Sequence, residues 1–190
     1  MVTQYSRLRL TFSGDRLPAL AGLSKQMMHV REGKCLAGVW EDSLFEDLCW
    51  QTARGWPSSS PSEGILTPKD AGAYIAPSWS WAPVLVPVEY INDMTNRRRA
   101  REFVPDAKLI RVKVVNVDPH DPTGQVVSCL LKLSATWTET YPDKNKRWPP
   151  GISKDVYYVL LAIDGSARYW LVLERAGNEH YRRMDLTEGT

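Results

Sequence analysis

The chain has 190 residues, of which 43% are hydrophobic and 24% are charged. This is the composition of a folded globular protein, and it excludes a chain that is disordered throughout. The 24 basic and 22 acidic residues leave a formal net charge of +2, which is too balanced to predict nucleic acid or an anionic membrane surface as the main partner.

The N-terminal residues 1–14 lack the apolar core of a signal peptide, and no run of 18 apolar residues follows anywhere in the chain. Three cysteines at wide spacing, without a CxxC pair, predict neither a disulfide framework nor a zinc site. We therefore expect a cytoplasmic protein with free thiols that does not span a membrane.

Residues 1–52 are predicted to form a helical segment. Over residues 13–33, apolar side chains recur at helical spacing, with Ser13 or Asp15 as the N-cap, Pro18 in the first turn and Gly33 at the end. The face predicted to be buried consists of Leu17, Leu20, Ala21, Met27 and Met28.

A short extended piece at residues 36–40 is followed by an acidic helix around residues 42–48, which we expect to bury Leu44, Phe45 and Leu48. Acidic residues are favoured at the start of a helix by its dipole. The paired acidic residues of this predicted helix therefore do not require a catalytic role. Residues 53–75 are rich in proline, glycine and serine and are predicted to form a surface loop.

Residues 76–104 are interpreted as a junction that begins with "APSWSWAP". Trp79 and Trp81 lie two residues apart, so both rings point to the same face if the segment is extended. They predict either a core anchor, which we favour, or an exposed aromatic platform for a carbohydrate or another small ligand. The flanking prolines limit any such strand to a short edge piece.

A basic cluster follows at residues 96–102, where Arg97, Arg98 and Arg99 are consecutive. These arginines and the two indoles are the weak candidates for ligand or partner binding. A basic loop of this kind is more often simply solvated, because such patches bind weakly unless base-reading or stacking residues join them, and the nearest aromatic residues are Tyr90 and Phe103.

Residues 105–190 are predicted to form an antiparallel β domain. Ile110, Val112 and Val114 alternate with basic residues, residues 118–125 form a turn, and residues 156–163 form a continuous apolar run typical of a central strand. The predicted fold class is α+β, with the N-terminal helical segment packed on an antiparallel sheet, closed as a barrel or packed as a sandwich, in one compact unit overall.

Five strings in fixed order carry a family resemblance: "YSRLRLTFSGDRLPALAGLSKQM" (5–27), "LAGVWEDSLFEDLCW" (36–50), "APSWSWAPV" (76–84), "DPTGQVVSCLLKL" (121–133) and "YWLVLERAGNEHYRRM" (169–184). Together they resemble the region that follows the HET domain in fungal heterokaryon-incompatibility proteins. Two positions depart from that pattern, since Gly14 and Pro83 stand where the family usually has serine.

The resemblance implies a role in non-self recognition that leads to growth arrest or programmed cell death. The HET domain itself, similar to TIR folds and thought to share their chemistry on NAD, carries "SYxWG"-like and "RGWTxQE"-like stretches that this chain lacks. "ARGWPSSS" shares only three letters with the second stretch and comes in the wrong order. We therefore expect a HET protein without its effector end, whose partner is a protein of the same family.

No string typical of phosphate-binding loops, serine hydrolases or zinc proteases is present. His29, His120 and His180 have no acid or thiol at motif spacing. We predict a chain that is not an enzyme and binds no cofactor or metal. The alternatives left open are an aromatic-platform binder, to which Trp56, Trp137 and Trp148 would contribute, and an enzyme whose histidine and acid meet only in space.

Overall fold

The computed structural model describes residues 1–8, 10–53, 74–91, 103–139 and 156–189. Strands dominate these residues, and every strand pairing seen is antiparallel. Residues 54–73 of the loop predicted at 53–75 lie outside the described residues. The chain divides into two compact units, the first formed by residues 1–90 with 111–131 and the second by residues 91–110 with 132–190.

Three short α-helices lie in the N-terminal quarter: α1 (Val2–Tyr5), α2 (Pro18–Met27) and α3 (Leu44–Asp47). Two 3-10 turns, Ser13–Asp15 and Glu41–Ser43, precede α2 and α3. The strands are β1 (Cys35–Leu36), β2 (Val39–Trp40), β3 (Trp50–Thr52), β4 (Val88–Tyr90), β5 (Phe103–Pro105), β6 (Lys108–Asn116), β7 (Val126–Ser134), β8 (Trp137–Thr138), β9 (Val156–Asp164), β10 (Ala167–Gly177) and β11 (His180–Gly189).

Helix α2 is shorter than predicted at both ends. Its N-cap is Leu17, without a side-chain hydrogen bond, so the predicted capping by Ser13 or Asp15 is wrong because these residues form their own 3-10 turn. Pro18 opens the helix as predicted. The helix ends at Met27 rather than near Gly33, and the next residues form a tight turn in which the Arg31 N–H donates to the Met27 carbonyl at 2.9 Å.

The predicted buried face of α2 is confirmed only at its N-terminal end. Leu17 is 3% and Ala21 8% exposed, whereas Met28 is 39% exposed because it lies past the last helical turn. Leu20 and Met27 are half-buried. In α3, Leu44 and Leu48 are buried as predicted, and Phe45 is half-buried.

The extended piece predicted at 36–40 is a tight hairpin, β1–β2, in which Leu36 pairs with Val39 across a two-residue turn. Both turn residues have positive φ, 50° at Ala37 and 92° at Gly38. Such a turn matches the twist of the flanking strands, and glycine adopts it without steric cost. The segment 1–52 therefore contains strands as well as helices.

Strands β6 and β7 form the predicted hairpin, and the turn at 118–125 is confirmed. The Val117 N–H donates to the Gln125 carbonyl at 2.9 Å, closing the turn. The predicted alternation holds for Val112 and Val114, which are half-buried, but not for Ile110, which is 57% exposed.

The turn between β6 and β7 contacts α2 within the first unit. Thr123 Oγ1 donates to the Ala21 carbonyl at 3.4 Å, and Lys25 pairs with Asp121 at 3.2 Å. Residues 111–131 therefore belong with the N-terminal part, although the sequence placed them in a β domain over 105–190.

The second unit contains a five-stranded antiparallel sheet. Its order is β11-β10-β9-β5, and β8 also pairs with β9. Strand β9 is central as predicted, because it pairs with β10 along one edge and with two short strands along the other. On that second edge, β5 pairs with residues 162–164 of β9, and β8 pairs with residues 158–159. Leu161 and Ala162 are fully buried and consecutive, so both faces of β9 are covered.

The strands described here leave this sheet open, so the predicted closure into a barrel is not seen among them. Register shifts at Tyr169/Trp170 and Val172/Leu173 mark irregularities along β10. Within the described residues, no helix has the length and apolar character that a membrane span would need.

Candidate functional site

The "APSWSWAP" segment is a succession of turns and not the extended piece that the sequence suggested. The Ser80 N–H donates to the Pro77 carbonyl at 3.0 Å, and the Val84 N–H donates to the Trp81 carbonyl at 3.1 Å. These two bonds close two β-turns in place of an extended strand. The alternation of a strand therefore does not put the two indoles on one face.

Trp81 is fully buried, which confirms the prediction that it belongs to a core. Its indole N–H donates to the Gly38 carbonyl at 2.7 Å, and Tyr5 meets the ring edge-on with centroids 5.8 Å apart. A ring without exposed surface presents no face to a ligand in this conformation.

Trp79 is half-buried, and its backbone carbonyl accepts a hydrogen bond from the Trp50 indole N–H at 3.0 Å. Between the two indoles, Ser80 is fully buried, and its hydroxyl donates to the Ala37 carbonyl at 2.6 Å. The turns of the β1–β2 hairpin and of the tryptophan segment are therefore joined by hydrogen bonds from Ser80 and Trp81.

Arg16 is the most unusual charged residue of the first unit, since it is only 5% exposed. Its Nη1 donates to the Val84 carbonyl, and its guanidinium lies 5.7 Å from the centroid of the Trp81 ring. Burial lowers the pKa of Arg16, while the neighbouring Tyr5 raises it. Among the described ion pairs none involves Arg16, so no acid in the described residues offsets its charge.

Arg16 lines a cavity of about 310 Å³ within the first unit. The other lining residues come from the segment after α1, from the 3-10 turn and from the approach to β4: Ser6, Arg7, Leu8, Leu10, Ser13, Leu85 and Pro87. Half of the lining residues are polar or charged and half are apolar, which is a more polar lining than most small-ligand sites have.

All three histidines lie at exposed positions. His120 and His180 are both exposed, and the His180 ring contacts the Asn178 carbonyl at 2.7 Å. His29 is also exposed, in the turn after α2. Within the described residues no group of three metal-ligating side chains occurs.

The three thiols are free, and Cys35 and Cys49 are buried. Burial raises the pKa of Cys35, and it raises the pKa of the half-buried Cys129 to about 11. A thiol with a raised pKa is a poor nucleophile at neutral pH, because little thiolate is present.

Asp47 is a perturbed acid that the sequence did not single out. Burial raises its pKa to about 6, although one carboxylate oxygen accepts hydrogen bonds from the Trp40 N–H at 2.8 Å and the Ser43 hydroxyl at 3.1 Å. Both donors lie within seven residues of Asp47, so this network stabilises the link between β2 and α3 rather than forming a cleft.

Arg97, Arg98 and Arg99 lie outside the described residues, as do Trp56 and Trp148. Of the proposed platform residues, Trp137 is 59% exposed in the second unit. Its ring lies 5.7 Å from that of Tyr157, and Tyr157 lies 5.2 Å from Tyr181, with interplanar angles of 60° and 82°. Trp137 and Tyr181 are exposed and Tyr157 is half-buried, but the three rings are not coplanar.

Sequence reasoning missed Arg16 and the cavity. An arginine between a 3-10 turn and a helix reads as a surface residue, and the position carries no motif that would separate it from the other arginines nearby. No family model, no curated protein and no solved structure matches this chain.

Proposed function

We propose that the chain is a non-catalytic region of a fungal heterokaryon-incompatibility-like protein, which supports non-self recognition by an upstream HET effector domain. The proposal includes a cytoplasmic location, a protein partner of the same family and packing of the N-terminal helical segment on an antiparallel sheet. It rests on the resemblance of the five ordered strings and on one structural observation.

That observation is the contact network among strings that are far apart in sequence. Arg16 of the first string donates to Val84 of the third, and Trp81 of the third string donates to Gly38 of the second. Thr123 of the fourth string donates to Ala21 of the first. Residues of four of the five strings are therefore joined by hydrogen bonds within the first unit, which supports a structural role for these strings.

The genomic DNA provides the most direct test of the upstream domain. We expect an in-frame coding stretch of the "SYxWG" type upstream of the Met1 codon. A stop codon in every upstream frame, with no splice site that bypasses it, would remove the basis for assigning the chain to a HET protein.

The non-catalytic part is tested separately by incubating the full chain with NAD and measuring the release of nicotinamide. We expect no release above the rate in buffer, because all three histidines are exposed rather than held in a buried site. Turnover that scales with protein concentration would contradict this part of the proposal while leaving the family assignment intact.

The partner is tested with purified proteins. Light scattering gives the mass of the chain alone, and a biosensor measures its binding to a recombinant HET-family protein encoded in the same genome. A monomer that binds none of those proteins would count against the recognition role.

A second candidate function is an aromatic binder of carbohydrate, favoured by the 59% exposure of Trp137 beside Tyr157 and Tyr181. The probe is co-sedimentation with insoluble chitin or β-glucan. We expect Trp137→Ala to remove binding if the cluster is a platform. Binding unchanged by that substitution would exclude this cluster.

A further inference from the structure

The cavity beside Arg16 combines a buried positive charge with an apolar mouth. An arginine that is 95% buried carries a large desolvation cost unless an anion or a set of hydrogen bonds offsets it. Its partners in the described residues are one carbonyl and an aromatic ring, and neither carries a formal charge. A buried guanidinium without a charged partner favours an anionic ligand.

Most N–H donors of the Arg16 guanidinium make no hydrogen bond within the described residues. An arginine has five N–H donors, and the side-chain hydrogen bond seen for Arg16 in the described residues is the one from Nη1 to Val84. Its Nε is buried without a hydrogen-bond partner. Because Nε has almost no accessible surface, an oxyanion in the cavity would accept from the terminal nitrogens of the guanidinium. The bond to Val84 and the Trp81 ring fix the orientation of these nitrogens.

The rest of the lining restricts the ligand further. Leu8, Leu10, Leu85 and Pro87 provide apolar surface, and Leu8 and Leu85 are 63% and 50% exposed. At the rim, Arg7 pairs with Glu89 at 3.4 Å, so its charge is largely offset. A volume of about 310 Å³ lies at the lower end of the range for ligand sites.

We propose that this cavity binds a small molecule with one oxyanion group, a carboxylate or a phosphate, and a compact apolar body. The oxyanion pairs with Arg16, and the apolar body contacts the leucines at the mouth. The proposal does not depend on the HET resemblance, since it uses only side chains of the first unit.

The test is a titration of the ¹⁵N-labelled full chain with benzoate, phenyl phosphate and uncharged benzamide, followed by amide chemical shifts. We expect saturable shifts at residues 6–16 and 85–87 with a dissociation constant on the order of 1 mM or tighter for one of the two anions. The anion that binds tighter identifies the oxyanion class. Benzamide should bind at least about ten-fold more weakly, because it carries no charge and cannot form an ion pair with the guanidinium.

The variant pair is Leu85→Glu and Leu130→Glu. Both leucines are exposed, at 50% and 44%, but Leu130 lies in β7 and does not line the cavity. Leu85→Glu should weaken the binding of the anion at least about ten-fold, because it places a second negative charge at the mouth of the cavity. Leu130→Glu should change the affinity for the anion less than two-fold. Arg16 is left intact because its replacement would disturb the Trp81 core.

Three results would overturn the proposal. They are the absence of saturable shifts with both anions, binding of benzamide within three-fold of benzoate, and an unchanged affinity in Leu85→Glu. The first would mean that the cavity holds only water.

Discussion

Replacing Gly38 by alanine tests the packing of the first unit most sharply. Gly38 has a φ of 92°, which L-residues rarely adopt, so alanine there costs about 1–2 kcal/mol in backbone strain. A Cβ at this position would also lie 3.0 Å from Leu17 Cδ2 and 3.0 Å from Trp81 Nε1. Overpacking of this kind costs about 1–3 kcal/mol, so we expect a total loss of roughly 2–5 kcal/mol in the free energy of unfolding.

The matched control is Gly22→Ala, the same substitution within α2. No heavy atom lies within 4 Å of a Cβ built at Gly22. Alanine replaces glycine in a helix interior with a gain of about 0.5–1 kcal/mol, so the control should have the opposite sign.

Both variants are measured by urea unfolding, using the indole N–H signal of Trp81 to follow the first unit. A Gly38→Ala protein within about 0.5 kcal/mol of the wild type would refute the close approach of the hairpin turn to Trp81. The same conclusion would follow if the two variants changed stability in the same direction.

Three further outcomes are expected. Trp81→Phe should cost about 2–4 kcal/mol, from the lost bond to Gly38 and a cavity of roughly 40 Å³, whereas half-buried Trp79→Phe should cost less than about 1 kcal/mol; equal losses in urea unfolding would contradict the buried role of Trp81. The pKa of Asp47, raised to about 6, means that the folded state holds this proton while the unfolded state releases it, so stability should fall by about 2 kcal/mol as pH rises from about 4 to about 6. Asp47→Asn should remove that fall from unfolding curves taken across this range, and an unchanged pH dependence would show that another group is responsible. Cys129, whose thiol pKa is raised to about 11, should be alkylated by iodoacetamide at pH 8 at least about 100-fold more slowly in the folded protein than in urea, as followed by mass spectrometry; similar rates would contradict its burial.

The central strand β9 and the turn between β6 and β7 follow from patterns that the sequence displays. Residues 156–163 are continuously apolar, which indicates a strand covered on both faces, and β9 is that strand. The turn at 118–125 was predicted from its density of proline, aspartate and glycine, which have strong local preferences. Such elements are predictable because their signal is local.

The tryptophan segment and the ends of α2 were predicted less well, because their geometry depends on distant partners. Trp81 was expected on an extended edge piece, yet its position is set by the Gly38 carbonyl, 43 residues away in sequence. The assignment of residues 111–131 to the first unit likewise depends on the contact of Thr123 with Ala21. No local pattern encodes either pairing.

Of the two main residues of the candidate site, Trp81 could be predicted from the sequence and Arg16 could not. Trp81 could be assigned to a core because a large ring between prolines is costly to expose. Arg16 could not be found, because its burial arises when the 3-10 turn, the tryptophan segment and α1 come together. A charged residue is predicted to be exposed unless a partner is visible in the sequence, and here the partners are a carbonyl and a ring.

The two short strands that share one edge of β9 have a consequence for how the second unit folds. Strands β9, β10 and β11 follow one another through short turns, so they can pair early with little loss of chain entropy. Strand β5 pairs with β9 across about 60 intervening residues, so its docking comes late and its amides should exchange with solvent before those of the three-stranded meander.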